Sequence, residues 1–233
     1  MMRVLWFFCS AILLSSCTSY NTEESATSSF VKSVGSLIGG VEFTEEEALA
    51  LKYATLVVSI DGDSNISMPL GYLEEDQQKW FSKDLFSLQT QNGRIIRLLN
   101  TPHDADLEIV DNDALRHWSW KRFLQSPNGD EQVLRSLQIN IDYLNRRHFG
   151  VPATLNLISE GLEERRHLGR NVRLMRVRES LNVPALNYFH NNFYWIDPES
   201  GFVWQSMQKW GPDSPEFYYE VVKPWMIVKE PAV

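Results

Sequence analysis

The hydrophobic positions of this chain change period along its length. Phe30, Val31, Val34, Leu37 and Ile38 are spaced for one face of a helix that stops at Gly39-Gly40. Thr44 and Glu47 form a capping box ahead of Ala48-Leu49-Ala50-Leu51, so a second short helix is predicted there. After Tyr53 the period falls to two. Ala54–Ile60, rich in β-branched residues, and Asn65–Leu73 flank the turn Asp61-Gly62-Asp63-Ser64 and read as a hairpin. Asp84–Thr90 and Arg94–Leu99 flank Gln91-Asn92-Gly93, where Asn-Gly is the strongest short-range hairpin signal. Leu137–Leu144 alternates Leu137, Ile139, Ile141 and Tyr143 with polar residues. Ala153–Glu160, Val172–Glu179, Phe189–Ile196, Phe202–Lys209 and Phe217–Val222 can be drawn in the same way. Asp197-Pro198-Glu199-Ser200-Gly201 supplies a tight turn between two of them. Only Asp113–Leu124 suggests a further helix, across Trp118-Ser119-Trp120. About ten strands with little helix predict an all-β fold, mainly antiparallel, either a sandwich or an incompletely closed barrel, with short N-terminal helices.

The N-terminus follows a different logic. Arg3 precedes an apolar run, Val4–Leu14, too short to span a bilayer but suited to the h-region of an export signal. Leu14-Ser15-Ser16-Cys17 closes that run and resembles the lipobox of bacterial lipoproteins. Residues 1–16 are therefore read as a signal peptide, with cleavage after Ser16 and lipidation of the Cys17 thiol. Each buried methylene contributes roughly 0.8 kcal/mol, so two or three acyl chains anchor a protein essentially permanently. Thr18–Ser29 is polar and rich in small residues and cannot offset its own ordering entropy, so residues 17–29 are read as a lipidated flexible tether. Residues 30–233 remain as a single β-rich domain. Of the two cysteines, Cys9 leaves with the signal and Cys17 becomes a thioether, so no disulfide is expected and the fold rests on its core. Thr18, where inner-membrane retention would call for Asp, implies transfer to the outer membrane by resemblance to enterobacterial lipoproteins.

The chain has 233 residues, 43% of them hydrophobic, which suffices for a core without staples. Its formal charge of −8 argues against nucleic acid as a partner, because phosphate binding needs a concentrated Lys/Arg surface. The histidines, at positions 103, 117, 148, 167 and 190, are too far apart for a recognisable metal motif. A nucleophile elbow, a glycine-rich phosphate loop and a His-Glu-x-x-His helix are all missing from the sequence, so neither cofactor nor metal is expected, nor an enzyme. A glycosidase needs only two carboxylates at the right separation, and sequence does not supply that separation for Asp142 or Glu160. The aromatic residues say more. Trp195, Trp204 and Trp210 crowd together with Tyr188, Phe189, Phe193 and Tyr194 across a predicted hairpin. Such rings either build a cross-strand core, the reading favoured for Trp204, or stack on sugars in a groove.

Several segments together resemble the group 4 capsule and exopolysaccharide operon lipoproteins, the GfcB/YjbF-type family. They are the lipobox at Leu14–Cys17, the run from Thr90 to Arg97, the hairpin from Tyr194 to Ser206, and the closing Val222-Lys223-Pro224. The resemblance implies an all-β outer-membrane lipoprotein that acts as an accessory factor in surface-polysaccharide export or assembly. It also implies co-encoded partners, periplasmic proteins and an outer-membrane β-barrel, and brings no catalytic residue with it. Arg94 and Asp197 fall within the matching segments, and a turn Asp before Pro has a structural reason to be there. Trp195, Trp204, Trp210 and Arg94 are the candidate contacts with a glycan or a partner protein. A lipid-anchored, half-open barrel of this size also resembles LolB-like carriers that shelter acyl chains, for which a contiguous apolar cavity is the mark.

Overall fold

The computed structural model describes residues 43–63, 65–101, 105–110, 113–126, 136–226 and 228. The signal, Cys17, the tether and the helix predicted at Phe30–Gly40 lie outside the described residues.

Helix α1 (Glu45–Ala50) starts as its capping box directs. The Thr44 hydroxyl accepts from Glu47 N at 3.3 Å, and the Glu47 carboxylate accepts from Thr44 N at 2.8 Å. Twelve strands follow. They are β1 (Thr55–Ile60), β2 (Ile66–Glu74), β3 (Gln77–Phe81), β4 (Ser87–Gln91), β5 (Arg94–Leu99) and β6 (Leu107–Val110), then β7 (Ser136–Tyr143), β8 (His148–His167), β9 (Arg170–Val183), β10 (Tyr188–Ile196), β11 (Val203–Gln208) and β12 (Phe217–Lys223). Each pairs antiparallel with its sequence neighbour. The sheet closes because β1 also pairs with β12, so that Val58 lies opposite both Ile66 and Tyr219. Of the two architectures open to an antiparallel chain of this pattern, the barrel is adopted, and its ring is complete.

A ring of twelve strands encloses more space than one of eight. Large side chains occupy it. Trp80, Trp204, Trp210, Tyr194, Tyr219 and Phe217 are all essentially inaccessible to solvent, as are the aliphatic residues Leu56, Val58, Leu88, Ile95, Ile141 and Leu181. Two of the strands, β3 and β6, had no expectation behind them. In β3 the inward positions are Gln78 and Trp80, so a polar residue interrupts the alternation. Strand β6 is four residues long, too short to show a period. The helix expected over Asp113–Leu124 is two helices, α2 (Asp113–Arg116) and α3 (Trp120–Gln125). Extended Ser119 separates them, its hydroxyl accepting from Arg122 N at 3.3 Å as the N-cap of α3.

The β8–β9 hairpin outgrows the ring. Strand β10 accompanies β9 only as far as Ile196 opposite Met175, while β8 and β9 stay paired out to His167 and Arg170. The overhang lies against the body. Leu168 packs with Phe43, Ala48 and Val222, the Gln205 amide donates to Arg166 O at 2.7 Å, and His167 Nδ1 meets Glu220 at 2.6 Å.

Because the meander alternates direction, the β2–β3, β4–β5 and β10–β11 turns and the α2–α3 segment all fall at one end of the barrel. The polypeptide enters β1 and leaves β12 at that same end.

Candidate functional site

The β4–β5 turn organises this end. Asn92 and Gly93 both have positive φ, 48° and 77°, as a type I′ turn requires. The turn is pressed into the barrel mouth, where a Cβ on Gly93 would stand 2.6 Å from Val203. Its carbonyls are satisfied from across the lumen. Gly93 O accepts from Gln208 Nε2 at 2.9 Å and from the Tyr219 hydroxyl at 2.5 Å, and Gln208 Oε1 accepts from Ile95 N at 2.9 Å. Trp120 of α3 caps the turn from outside, its indole donating to Asn92 O at 2.6 Å, while Asn92 Nδ2 donates to Trp118 O at 3.2 Å.

Directly after the turn comes Arg94, which points inward and is 1% exposed. Its Nε donates to Glu179 Oε2 at 2.6 Å, bridging β5 and β9 through the interior, and Glu179 is itself fully buried. Tyr194 donates to the other Glu179 oxygen at 2.8 Å. The guanidinium lies in a box of rings, with its central carbon 4.3 Å from the centre of Trp120, 5.2 Å from Trp118 and 5.6 Å from Tyr194. A planar, weakly hydrated guanidinium tolerates this setting better than an ammonium would.

Above these residues opens a cleft of about 500 Å³. Its walls come from all the turns gathered at this end: Glu75 and Asp76 from β2–β3, Asn92 from β4–β5, Trp118 and Trp120, Phe202, and Trp225 beyond β12. Trp225 sits 5.2 Å from Phe202 and 5.6 Å from Trp80, ring centre to ring centre. Asp76 is held in place, accepting from Gln91 Nε2 at 2.7 Å. Aromatic walls with a few fixed amide and carboxylate groups are the usual lining of a ligand pocket, and here Trp118 and Trp120, 8% and 3% exposed, present only their edges to it. Its two carboxylates are adjacent in one turn and do not face each other across it.

The residues singled out in the sequence fare differently. Arg94, Trp204 and Trp210 are buried, and Trp195, on the outer face, is 5% exposed because Arg165 from the overhang covers its ring at 4.1 Å. Trp204 thus takes the core position favoured for it, and Arg94, Trp195 and Trp210 are likewise engaged in packing. Of the neighbouring aromatics, Phe189 alone is largely exposed, at 62%. Asp142 accepts from Gly150 N at 2.6 Å and Glu160 pairs with Arg176 and Arg178, both away from the cleft. Asp197 caps its own turn, accepting from Glu199 N at 2.7 Å and Ser200 N at 3.1 Å. The cleft residues Trp118, Trp120 and Trp225 had drawn no functional expectation. Their one sequence signal was an aromatic pair in a segment too broken to be a good helix.

Tyrosine ionisation reports on the integrity of this interior. Burial pushes Tyr194 well above its usual range, and the Glu179 carboxylate beside it adds to the effect. Burial likewise raises Tyr143, Tyr188 and Tyr219, and takes Tyr218 up to about 12. A phenol whose pKa is raised by folding contributes stability that is intact below the unfolded value of about 10 and is lost as pH rises above it. In an alkaline titration followed at 295 nm, these five residues are expected to ionise in one cooperative step coincident with loss of the near-ultraviolet circular dichroism. Gradual ionisation with the dichroism intact would contradict their burial.

Fold and cleft together define a filled, twelve-stranded antiparallel barrel with an aromatic pocket at one mouth. Residues 35–221 match the model of the family described as group 4 capsule polysaccharide lipoprotein GfcB, YjbF, and the chain belongs to that family of envelope-associated lipoproteins. The uncharacterized lipoprotein GfcB of Escherichia coli (strain K12) is 27% identical over 215 residues, 90% of this chain and 93% of that protein. The uncharacterized lipoprotein YjbF of the same organism is 32% identical over 60 residues, 26% of this chain and 28% of that protein. Among solved structures, the hypothetical lipoprotein YmcC from Escherichia coli (K12) superposes with a TM-score of 0.65 at 24% identity, covering 87% of this chain and 98% of the other, which establishes a shared fold.

Proposed function

We propose that this protein is a lipid-anchored accessory factor of the outer membrane that takes part in exporting or assembling a surface polysaccharide, performing no chemistry itself. The observation that carries the reading is spatial. The two internal segments that resemble the family, Thr90–Arg97 and Tyr194–Ser206, come from distant parts of the chain and meet at one barrel mouth, where Asn92 and Phe202 line the same cleft. That cleft is the contact point for the glycan or for a co-encoded export protein. The packed interior favours this role over an acyl-chain carrier, which needs a hollow barrel.

Anchoring and role are tested together. Deleting the gene is expected to change the amount, length or attachment of the surface polysaccharide, with restoration by the wild-type gene. Cys17→Ser is expected to abolish palmitate incorporation and release the protein from the membrane fraction, since one residue carries the whole attachment. An unaltered polysaccharide in the deletion strain would remove the proposal.

A further inference from the structure

One surface of the barrel departs from the rest of the molecule in composition. Outward positions of β7 to β10 line up in rows across four strands. One row reads Ser136, Asn156, Ser180, Asn191. The next reads Gln138, Thr154, Asn182, Phe189, and Asn140 opposite Pro152 continues the field. The intervening residues, such as Leu137, Leu155 and Leu181, are core, which fixes these rows as the outer face. None of the ten carries a charge, in a protein that is 22% charged and whose exposed faces ought to carry most of it. Charge returns at the border, where Arg178 pairs with Glu160 at 2.6 Å and reaches back to donate to Ser180 Oγ at 3.2 Å on one side, and Asp142 stands on the other.

We propose that this uncharged face is a track for an extended polysaccharide chain, lying across the strands. The inference rests on the polysaccharide role proposed above. Three features select that occupant. Amide side chains and hydroxyls both donate and accept, which matches the hydroxyls of a sugar without demanding a particular protonation state. Adjacent strands repeat these groups at a spacing of about 4.8 Å, close to the length of one pyranose unit along an extended glycan. The side chains are also mutually oriented: Ser180, 8% exposed, acts from beneath by donating to Asn191 Oδ1 at 2.7 Å, and Thr154 Oγ1 donates to Gln138 Oε1 at 3.1 Å, while Phe189, 62% exposed, offers a flat ring at the margin. A second copy of the chain is a poor occupant, because a stable dimer buries about 800 Å² per partner around an apolar centre and this field has amides at its centre.

The test uses the full chain, uniformly labelled with ¹⁵N, titrated with surface polysaccharide prepared from cells carrying the gene and with cellohexaose, maltohexaose and chitohexaose. Saturable amide shifts confined to β7–β10 are expected with the cell polysaccharide or at least one hexasaccharide, with an affinity that changes less than twofold between low salt and 0.5 M NaCl, since no counterions are released. Phe189→Ala and Asn182→Ala, both at exposed positions, are each expected to weaken binding at least fivefold and leave the melting temperature unchanged. Lys83→Ala, exposed in the β3–β4 turn across the ring from this face, is expected to leave it unaffected. No shift with the cell polysaccharide or any hexasaccharide, shifts confined to the mouth cleft, binding lost in salt, or concentration-dependent dimers abolished by Phe189→Ala would each overturn the proposal. A deletion strain with altered polysaccharide and a chain that binds no glycan would refute the track while leaving the accessory role standing through a protein partner.

Discussion

Glu179→Ala is expected to cost about 3–5 kcal/mol of folding stability, among the largest effects of any single substitution in this protein. The change leaves the Arg94 guanidinium inside the barrel without its carboxylate and strips the Tyr194 hydroxyl of its acceptor. Arg94 is 1% exposed, so water does not take the carboxylate's place without the mouth opening. Urea unfolding followed by tryptophan fluorescence reads the loss directly, as a lower midpoint at an unchanged slope. The informative comparison is the double variant Arg94→Met with Glu179→Leu. It removes both charges and is expected to recover most of the loss, because a buried ion pair repays its desolvation poorly against apolar residues of similar volume. Recovery would show that the pair selects how the β4–β5 turn enters the barrel more than it stabilises the fold. A single variant as stable as the parent would show that the pair is not buried.

Trp120→Ala is expected to be comparably severe, at about 3–5 kcal/mol. Its ring is 3% exposed, stacks on Arg94, and lies 4.9 Å from Tyr194, while its indole nitrogen holds the Asn92 carbonyl. Removing it opens a cavity beside a buried charge and frees α3 from the turn it caps. Differential scanning calorimetry gives the cost as a lower melting temperature. Trp120→Phe keeps most of the volume and loses only the hydrogen bond, so a much smaller drop is expected from it. Equal losses from both variants would place the cost in the hydrogen bond alone.

These two expectations concern residues of unequal visibility in the sequence. The Asn92-Gly93 turn was legible because its conformation is dictated locally, by the two residues themselves. The capping box at Thr44 and the alternation in β7 were legible for the same reason. Strand β3 was not, because Gln78 occupies an inward position, and its justification is tertiary: its carbonyl accepts from Thr90 Oγ1 at 3.0 Å, which in turn accepts from Trp80 Nε1. Ring closure was equally invisible, since the register between β1 and β12 joins residues more than 150 positions apart. The aromatic cluster in β10 and β11 could be seen in the sequence, but its direction could not. Trp195 has outward parity and is nonetheless hidden, because the overhanging hairpin brings Arg165 over it. The cleft aromatics come from three separate segments, and no local pattern announces that a mouth will assemble from turns.

The completed ring also governs how this protein behaves beside copies of itself. Strands left unpaired at the side of a sheet invite further strands to join, and a lipid-tethered population confined to a surface meets its neighbours far more often than one in free solution. With β1 and β12 joined, the body of the barrel has no such side to offer. Among the described residues, only the overhanging hairpin extends beyond the ring. Its outer stretch is crowded with Glu163, Glu164, Arg165, Arg166, Arg170 and Arg173, and a bulge between Ser159 and Gly161 bends it as it leaves the barrel. Charge and curvature there discourage strand addition. Along the described strands, a partner therefore meets side chains and turns and not a free backbone edge.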